Sequence, residues 1–186
     1  MAGWNRYNFL QLFLASSLLL ISVECRCYYN CGTKNEIPFP KEGHVPVSNG
    51  CGSYGFSFKH EDFDFEPCCD VHDECFDYCN KSKWRCDEAF KTCLMDVCDR
   101  AVGTAKQREE CRTSAEMMHQ MSANFGCPAF LSSQELACEC RSPTDEEREE
   151  FRAERRKQRK EETSSRKRAK KPKKGPKRRT RKSKVQ

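Results

Sequence analysis

Beyond Cys140 the 186-residue chain has no further cysteine; beyond Ser142 it has almost no apolar residue, and beyond Glu162 no acid. Each absence excludes something. A segment without apolar residues has nothing to bury, so the C-terminal part is not a second packed domain. Without acids, the thirteen lysines and arginines of Arg166–Gln186 repel one another, and this run is predicted to be disordered. No apolar run reaches membrane-spanning length either. Phe9 to Val23 is too short to cross a bilayer. With Arg6 before it and small residues at Val23 and Cys25, it reads as the core of a secretory signal over residues 1–25, cut after Cys25. Residues 26–60 lack a helical period and carry turn signals at Pro38-Phe39-Pro40 and Asn49-Gly50, so they are expected to be loop.

What the chain has in excess is cysteine. Removing Cys25 with the signal leaves fourteen of the fifteen, an even set for seven disulfides, all within residues 26–140. At about 12% of that segment, this is the density of a disulfide scaffold built in an oxidising compartment. Charge is divided as sharply. Residues 1–140 hold thirteen basic against twenty acidic side chains (−7), and residues 141–186 hold twenty-one against eight (+13). Three parts follow: a signal (1–25), a cysteine-rich domain (26–140) and a charged tail (141–186) in which Asp145 to Glu162 is a candidate solvated helix. The tail is expected to attract polyanions, either heparan-type glycans or anionic lipid. Specific nucleic-acid binding is not expected of a secreted chain.

The densest chemistry lies in Pro67-Cys68-Cys69-Asp70-Val71-His72-Asp73-Glu74-Cys75. On a helix opened by Pro67, Cys68 and His72 share a face, as do Cys69 and Asp73, and Cys75 follows His72 by three. His72 and Asp73 then project side by side from a helix held by its cysteines, a rigid platform for a general base beside a cation ligand. A zinc site of Cys68, Cys69 and His72 has the right residue types but the wrong compartment. The bland alternative is a surface His–Asp pair.

This first helix is expected from Glu66 to about Cys79. A second is expected from Trp84 to about Arg100, with Cys86, Phe90, Cys93, Leu94 and Val97 on one buried stripe. The short link between them, which contains the glycosylation sequon Asn80-Lys81-Ser82, makes the helices antiparallel neighbours. Asp87 lies near their seam, where a carboxylate can fix an imidazole tautomer; otherwise it is an exposed helix acid. A third helix is expected over Cys111–Phe125, with Met117, Met118, Met121 and Phe125 as core or interface packing. The glycine-dense loop Asn49-Gly50-Cys51-Gly52-Ser53-Tyr54-Gly55 can turn carbonyls inward for a hard cation, or can be a plain turn.

Taken together, Cys68-Cys69-x-x-His72-Asp73-x-Cys75, the glycine loop, Cys86-Asp87-Glu88-x-Phe90-x-x-Cys93-Leu94 and the ending Gly126-Cys127-Pro128-x-Phe130-Leu131 with Cys138-x-Cys140 resemble the secreted phospholipases A2, most closely the group XII branch. The resemblance spans about Cys27 to Cys140. It implies a mainly α, disulfide-rich fold of two long antiparallel helices with a calcium loop. It further implies Ca²⁺-dependent hydrolysis of the sn-2 ester of glycerophospholipids at a membrane surface. In that scheme His72 is the general base, Asp87 orients it, and Asp73 with the carbonyls of Gly50, Gly52 and Tyr54 holds the calcium. Asn49 stands where most relatives have the first of two cysteines bracketing the loop, and Tyr54 where most have glycine. The competing expectation is a catalytically weak or inactive lipid- or receptor-binding protein on the same scaffold. The branch includes members whose active-site histidine is replaced, whereas this chain keeps His72, Asp73 and Asp87.

Overall fold

A computed structural model describes residues 27–53, 56–57, 62–101 and 103–169. The segment expected to be a signal, Tyr54 and the basic run beyond Ala169 lie outside the described residues. Helix α1 runs over Glu66–Phe76, with Pro67 in its first turn. It ends three residues earlier than expected, at a C-cap Asp77 whose N–H is shared between the Asp73 and Glu74 carbonyls; Asn80, with a left-handed φ of 66°, then turns the chain. Helix α2 spans Lys83–Arg100, opened by Ser82, whose hydroxyl accepts from the Arg85 N–H. Its inward stripe is the expected one: Cys86, Phe90 and Leu94 are buried, Cys98 continues the line, and Cys93 and Val97 pack against it half-buried.

Seven disulfides join all fourteen cysteines of residues 27–140. Two of them, Cys68–Cys93 and Cys75–Cys86, clamp α1 to α2 in antiparallel register. Helix α3 spans Ala105–Phe125, six residues longer at its start than expected. The cause is a reciprocal cap in which the Thr104 hydroxyl accepts from the Gln107 N–H and the Gln107 side chain accepts from the Thr104 N–H. Cys111, Ala115 and Met118 face inward from α3. Met117, Met121 and Phe125, expected in packing, are instead 46%, 55% and 74% exposed. Helix α4, Cys127–Ala137, follows directly, with Phe130 buried against Phe76 and Cys86 in a second small core.

The N-terminal stretch is not all loop. Strand β1 (Ile37–Pro40) pairs antiparallel with β4 (Cys138–Arg141), Ile37 opposite Arg141 and Pro40 opposite Cys138. Both strands are edges, and this is where Pro38 and Pro40 are tolerated. The two-residue strands β2 (Gly52–Ser53) and β3 (Phe56–Ser57) pair within the glycine loop.

The C-terminal segment departs most from expectation. Residues Asp145–Ala169 form helix α5, longer than the candidate helix and not wholly solvated. Thr144 and Glu147 cap it reciprocally, and Asp145, Glu146 and Glu147 open it while Arg166, Lys167 and Arg168 close it, as the helix dipole favours. Glu154 and Glu161 pair with Arg85 of α2, Gln158 donates to the Asn80 carbonyl, and Tyr28 donates to Glu162. Within the tail of residues 141–186 this helix is thus ordered; it extends the candidate Asp145 to Glu162 by seven residues and rests partly on the domain. Among the described residues, no helix is long and apolar enough to cross a membrane.

Gln134 of α4 holds the α1–α2 link. It is fully buried, donates Nε2–H bonds to the carbonyls of Phe76 and Tyr78, and accepts from the Asn80 N–H. The sequon side chain is used internally as well, since Asn80 Nδ2 donates to Pro38 O at 2.8 Å. Replacing Gln134 by Leu strands three backbone groups. The expected loss is on the order of 3 kcal/mol in urea unfolding with disulfides intact; a loss below about 0.5 kcal/mol would show that water satisfies the link equally well.

Candidate active site

The two clamping disulfides determine what meets at the seam. Cys68 and Cys75 lie seven apart on α1, Cys86 and Cys93 seven apart on α2, and they pair in opposite order. His72 falls inside the first interval; Asp87 and Phe90 fall inside the second. His72 is accordingly buried, its ring stacked on Phe90 (4.5 Å between centroids, 30°) and tilted against Phe76 (4.2 Å). Its Nε2 lies 3.0 Å from Asp87 Oδ1. Among the described residues, Nδ1 has no hydrogen-bond partner.

Asp87 is buried rather than an exposed helix acid. Burial by itself pushes its carboxyl up. The bond from His72, the ammonium of Lys83 and the hydroxyl of Ser122 outweigh that and hold it below the usual carboxylate range. Lys83 Nζ donates to Asp87 Oδ2 at 2.7 Å and to the Ser122 carbonyl at 2.7 Å. Ser122 Oγ donates to Asp87 Oδ1 at 2.8 Å and lies 3.3 Å from His72 Nε2. An ionised carboxylate only accepts, so the Nε2 of His72 carries the proton and Nδ1 is left as a free acceptor.

Lys83 and Ser122, which contact Asp87 here, are not among the candidate residues that the sequence points to. A signal existed for Lys83, which precedes Asp87 by four on a helix and so shares its face. Ser122 had only its place on the inward face of α3.

Asp73 projects toward the glycine loop, and its Oδ2 accepts from the Asn49 N–H at 3.0 Å. With the Asn49 carboxamide turned over, Nδ2 donates to Gly52 O at 3.1 Å and to Asp73 Oδ2 at 3.2 Å. Asn49, in the place of a bracketing cysteine, thus ties loop to helix by hydrogen bonds, and the Cys51–Cys69 disulfide ties it covalently. Gly50 has a φ of 77°, and a Cβ there would meet Glu66 Oε1 at 3.3 Å; both facts favour glycine. Gly50 O accepts from the Gly52 N–H at 2.8 Å, which leaves its second lone pair available. Burial raises the Asp73 carboxyl, against the pull of the Asn49 N–H and of His72, and the neighbouring Asp70 and Asp77 raise it further. The Asp73 carboxylate, tied through Asn49 to the loop that carries the Gly50 and Gly52 carbonyls, offers oxygen donors of the type a hard divalent cation takes. Tyr54 lies outside the described residues. The structure thus brings His72 to Asp87, and Asp73 to the loop of Gly50 and Gly52.

Comparison with known proteins accords with this arrangement. Residues 5–151 match the family described as "Group XII secretory phospholipase A2 precursor (PLA2G12)", and the chain belongs to this family of secreted, extracellular proteins. It is 35% identical over 120 residues to human "Group XIIA secretory phospholipase A2", covering 61% of this chain and 63% of the relative. The mouse protein of that name is 35% identical over 121 residues, covering 62% of each chain. Mouse "Group XIIB secretory phospholipase A2-like protein" is 33% identical over 135 residues, 67% of each. The chain spans somewhat less than two thirds of the length of the two group XIIA relatives. No solved structure matches it.

Because the folded Asp87 is held below its unfolded value, its stabilising contribution is present above the unfolded carboxylate pKa of about 3.9 and is lost as pH falls through the folded value. Lys83→Met removes the ammonium and leaves a buried uncompensated charge. The expected loss at pH 7 is about 3 kcal/mol, shrinking towards pH 3 as Asp87 takes a proton. Urea titrations at both pH values check this; a deficit of the same size at both would mean that Lys83 stabilises by packing alone.

Proposed function

We propose that this chain is a calcium-dependent phospholipase A2, hydrolysing the sn-2 ester of glycerophospholipids to a lysophospholipid and a free fatty acid. One observation carries the reading: a buried imidazole whose Nε2 is held 3.0 Å from an anionic Asp87, leaving Nδ1 as a proton acceptor. A water at Nδ1 gives up a proton as its oxygen attacks the ester carbonyl. The resulting imidazolium is balanced by Asp87, with which it is already in contact. As the ester C–O bond breaks, Nδ1 returns the proton to the departing lysophospholipid oxygen. Phe76 and Phe90 keep the ring from turning and keep other water from its faces. Lys83 and Ser122 hold Asp87 in place and ionised.

Asp73 with the carbonyls of Gly50, Gly52 and Tyr54 would hold Ca²⁺. When bound, the ion polarises the ester carbonyl and stabilises the charge developing on its oxygen. The clustering of Asp70, Asp73 and Asp77 along α1 and its C-cap, beside the glycine loop that Asn49 ties to Asp73, supports that assignment. The tail beyond Ala169 would bring the domain to polyanionic surfaces.

The test is hydrolysis of mixed zwitterionic and anionic vesicles by the purified mature chain. Activity is expected with millimolar Ca²⁺ and not with excess chelator. His72→Gln is expected to lower kcat by about 10²–10⁴-fold with the disulfide fold intact. Near wild-type turnover in that variant would refute the mechanism. No turnover in the parent protein would favour a lipid- or receptor-binding role for the scaffold.

A further inference from the structure

Helix α5 sorts its charges. Glu147, Glu154 and Glu161 recur every seven residues, and all three are neutralised, Glu147 by Arg141 and the other two by Arg85. The arginines Arg152, Arg155, Arg156 and Arg159 occupy a different face, where, with the segment at Tyr28 and Asn30, they line a cleft of about 350 Å³. Among the described residues, no carboxylate lies within ion-pair distance of any of these four guanidiniums. Residues 170–186 contain no acid that could supply one.

The cleft is also pre-shaped. Arg155 is half-buried, with its guanidinium 5.0 Å from the rings of both Tyr28 and Phe151, and it donates to the Tyr29 carbonyl. Arg159 lies 5.4 Å from the same Tyr28 ring. Tyr28 is fixed in turn by its bond to Glu162. Aromatic stacking orders a guanidinium without consuming its N–H forks. Burial lowers the Arg155 pKa, and the positive charge of Arg159 opposes its protonation further. Unneutralised charges crowded in this way gain most from an anion.

Arg152 to Arg159 rises about 10 Å along the helix. One tetrahedral oxyanion cannot reach both ends, so the ligand must carry several along a chain. A flat bilayer would meet the exposed forks of Arg152 and Arg156 but not the half-buried Arg155. For an extracellular protein, a linear chain of oxyanions that enters a cleft is a sulfated glycan. We propose that the cleft between α5 and the Tyr28–Asn30 segment is a binding site for a sulfated glycan chain, with the arginine forks taking successive sulfates. This differs from attraction by the lysine-rich tail, because the charges are fixed on a folded helix. It does not depend on the hydrolase reading.

The test uses the full mature chain, a heparin-derived hexasaccharide and calorimetric titration at 150 mM NaCl, roughly physiological ionic strength. Arg152→Ala/Arg156→Ala/Arg159→Ala removes three exposed forks and leaves the structural Arg155 in place. It is expected to weaken binding at least about tenfold and to flatten the dependence of log affinity on log salt by about two. Neutralising Lys170, Lys171, Lys173 and Lys174 to Ala is expected to cost less than about threefold. Circular dichroism of the arginine variant verifies that α5 persists; if the helix melts, the single variant Arg156→Ala, expected to lose about threefold, takes its place. The reverse ranking of the arginine and lysine variants would overturn the proposal in favour of the tail. So would equal, arginine-dependent binding to phosphatidylserine vesicles or to a single-stranded oligonucleotide of matched charge, which would make the site a membrane contact or a general polyanion patch.

Discussion

The structure depends on a register. Two disulfides, which together join a pair of cysteines seven apart on α1 to a pair seven apart on α2, allow only one antiparallel alignment of the helices. Everything at the site is counted from them. His72 stands four residues after one clamp and three before the other, and Phe90 stands at the complementary offsets on α2. The imidazole therefore meets the ring beneath it and the carboxylate one turn away without help from the loops. Covalent constraint does here what a large apolar core does elsewhere. The buried apolar clusters are small and rich in cysteine, as expected of a short secreted domain.

That register imposes a cost, which the rest of the site offsets. Placing Asp87 at the seam buries a carboxylate, and a buried charge is tolerated only when it is paired and hydrogen-bonded. Three donors, one from each of α1, α2 and α3, converge on its two oxygens: the His72 ring, the Lys83 ammonium and the Ser122 hydroxyl. Lys83 also reaches the Ser122 carbonyl, so α2 and α3 are joined through the same ammonium. Support for the imidazole and packing of the third helix are thereby one network, and a change at Ser122 would be felt at His72.

How much of this was legible follows from the range of each interaction. The α1–α2 pair was legible because its signals are local: cysteine spacing, Pro67, and a stripe recurring at helical intervals. His72, Asp73 and Asp87 were legible for the same reason and through family resemblance. The start of α3 is marked by the local cap Thr104-x-x-Gln107, but its first inward-facing residue is Cys111, so the apolar pattern alone places the start six residues late. Strand β1 was hidden by Pro38 and Pro40, which argue against a strand until the edge position of both partners is known. Helix α5 was underestimated because its composition argues against burial. What orders it is a set of long-range contacts: Arg85 pairs with Glu154 and Glu161 from 69 and 76 positions away, Tyr28 bonds Glu162, and Gln158 bonds the Asn80 carbonyl. Met117, Met121 and Phe125 have helical spacing, but periodicity alone does not say which of two adjacent faces turns inward.

The two carboxylates flanking His72 are driven in opposite directions, and this separates their roles. Asp87 and Asp73 share the same ordinary pKa. The first is held low by donors already in the protein, so its charge is fixed and internal. The second is raised by burial and by Asp70 and Asp77, with only the Asn49 N–H and His72 acting against them. A group whose charge is satisfied orients its neighbour; a group whose charge is not satisfied favours whatever brings positive charge to it. Reversing the assignments would put the strained carboxylate on the imidazole, where it would compete for the proton that His72 must hold on Nε2. Under the proposed hydrolase reading, this difference between the two environments is what would assign the cation to Asp73 and the orienting role to Asp87.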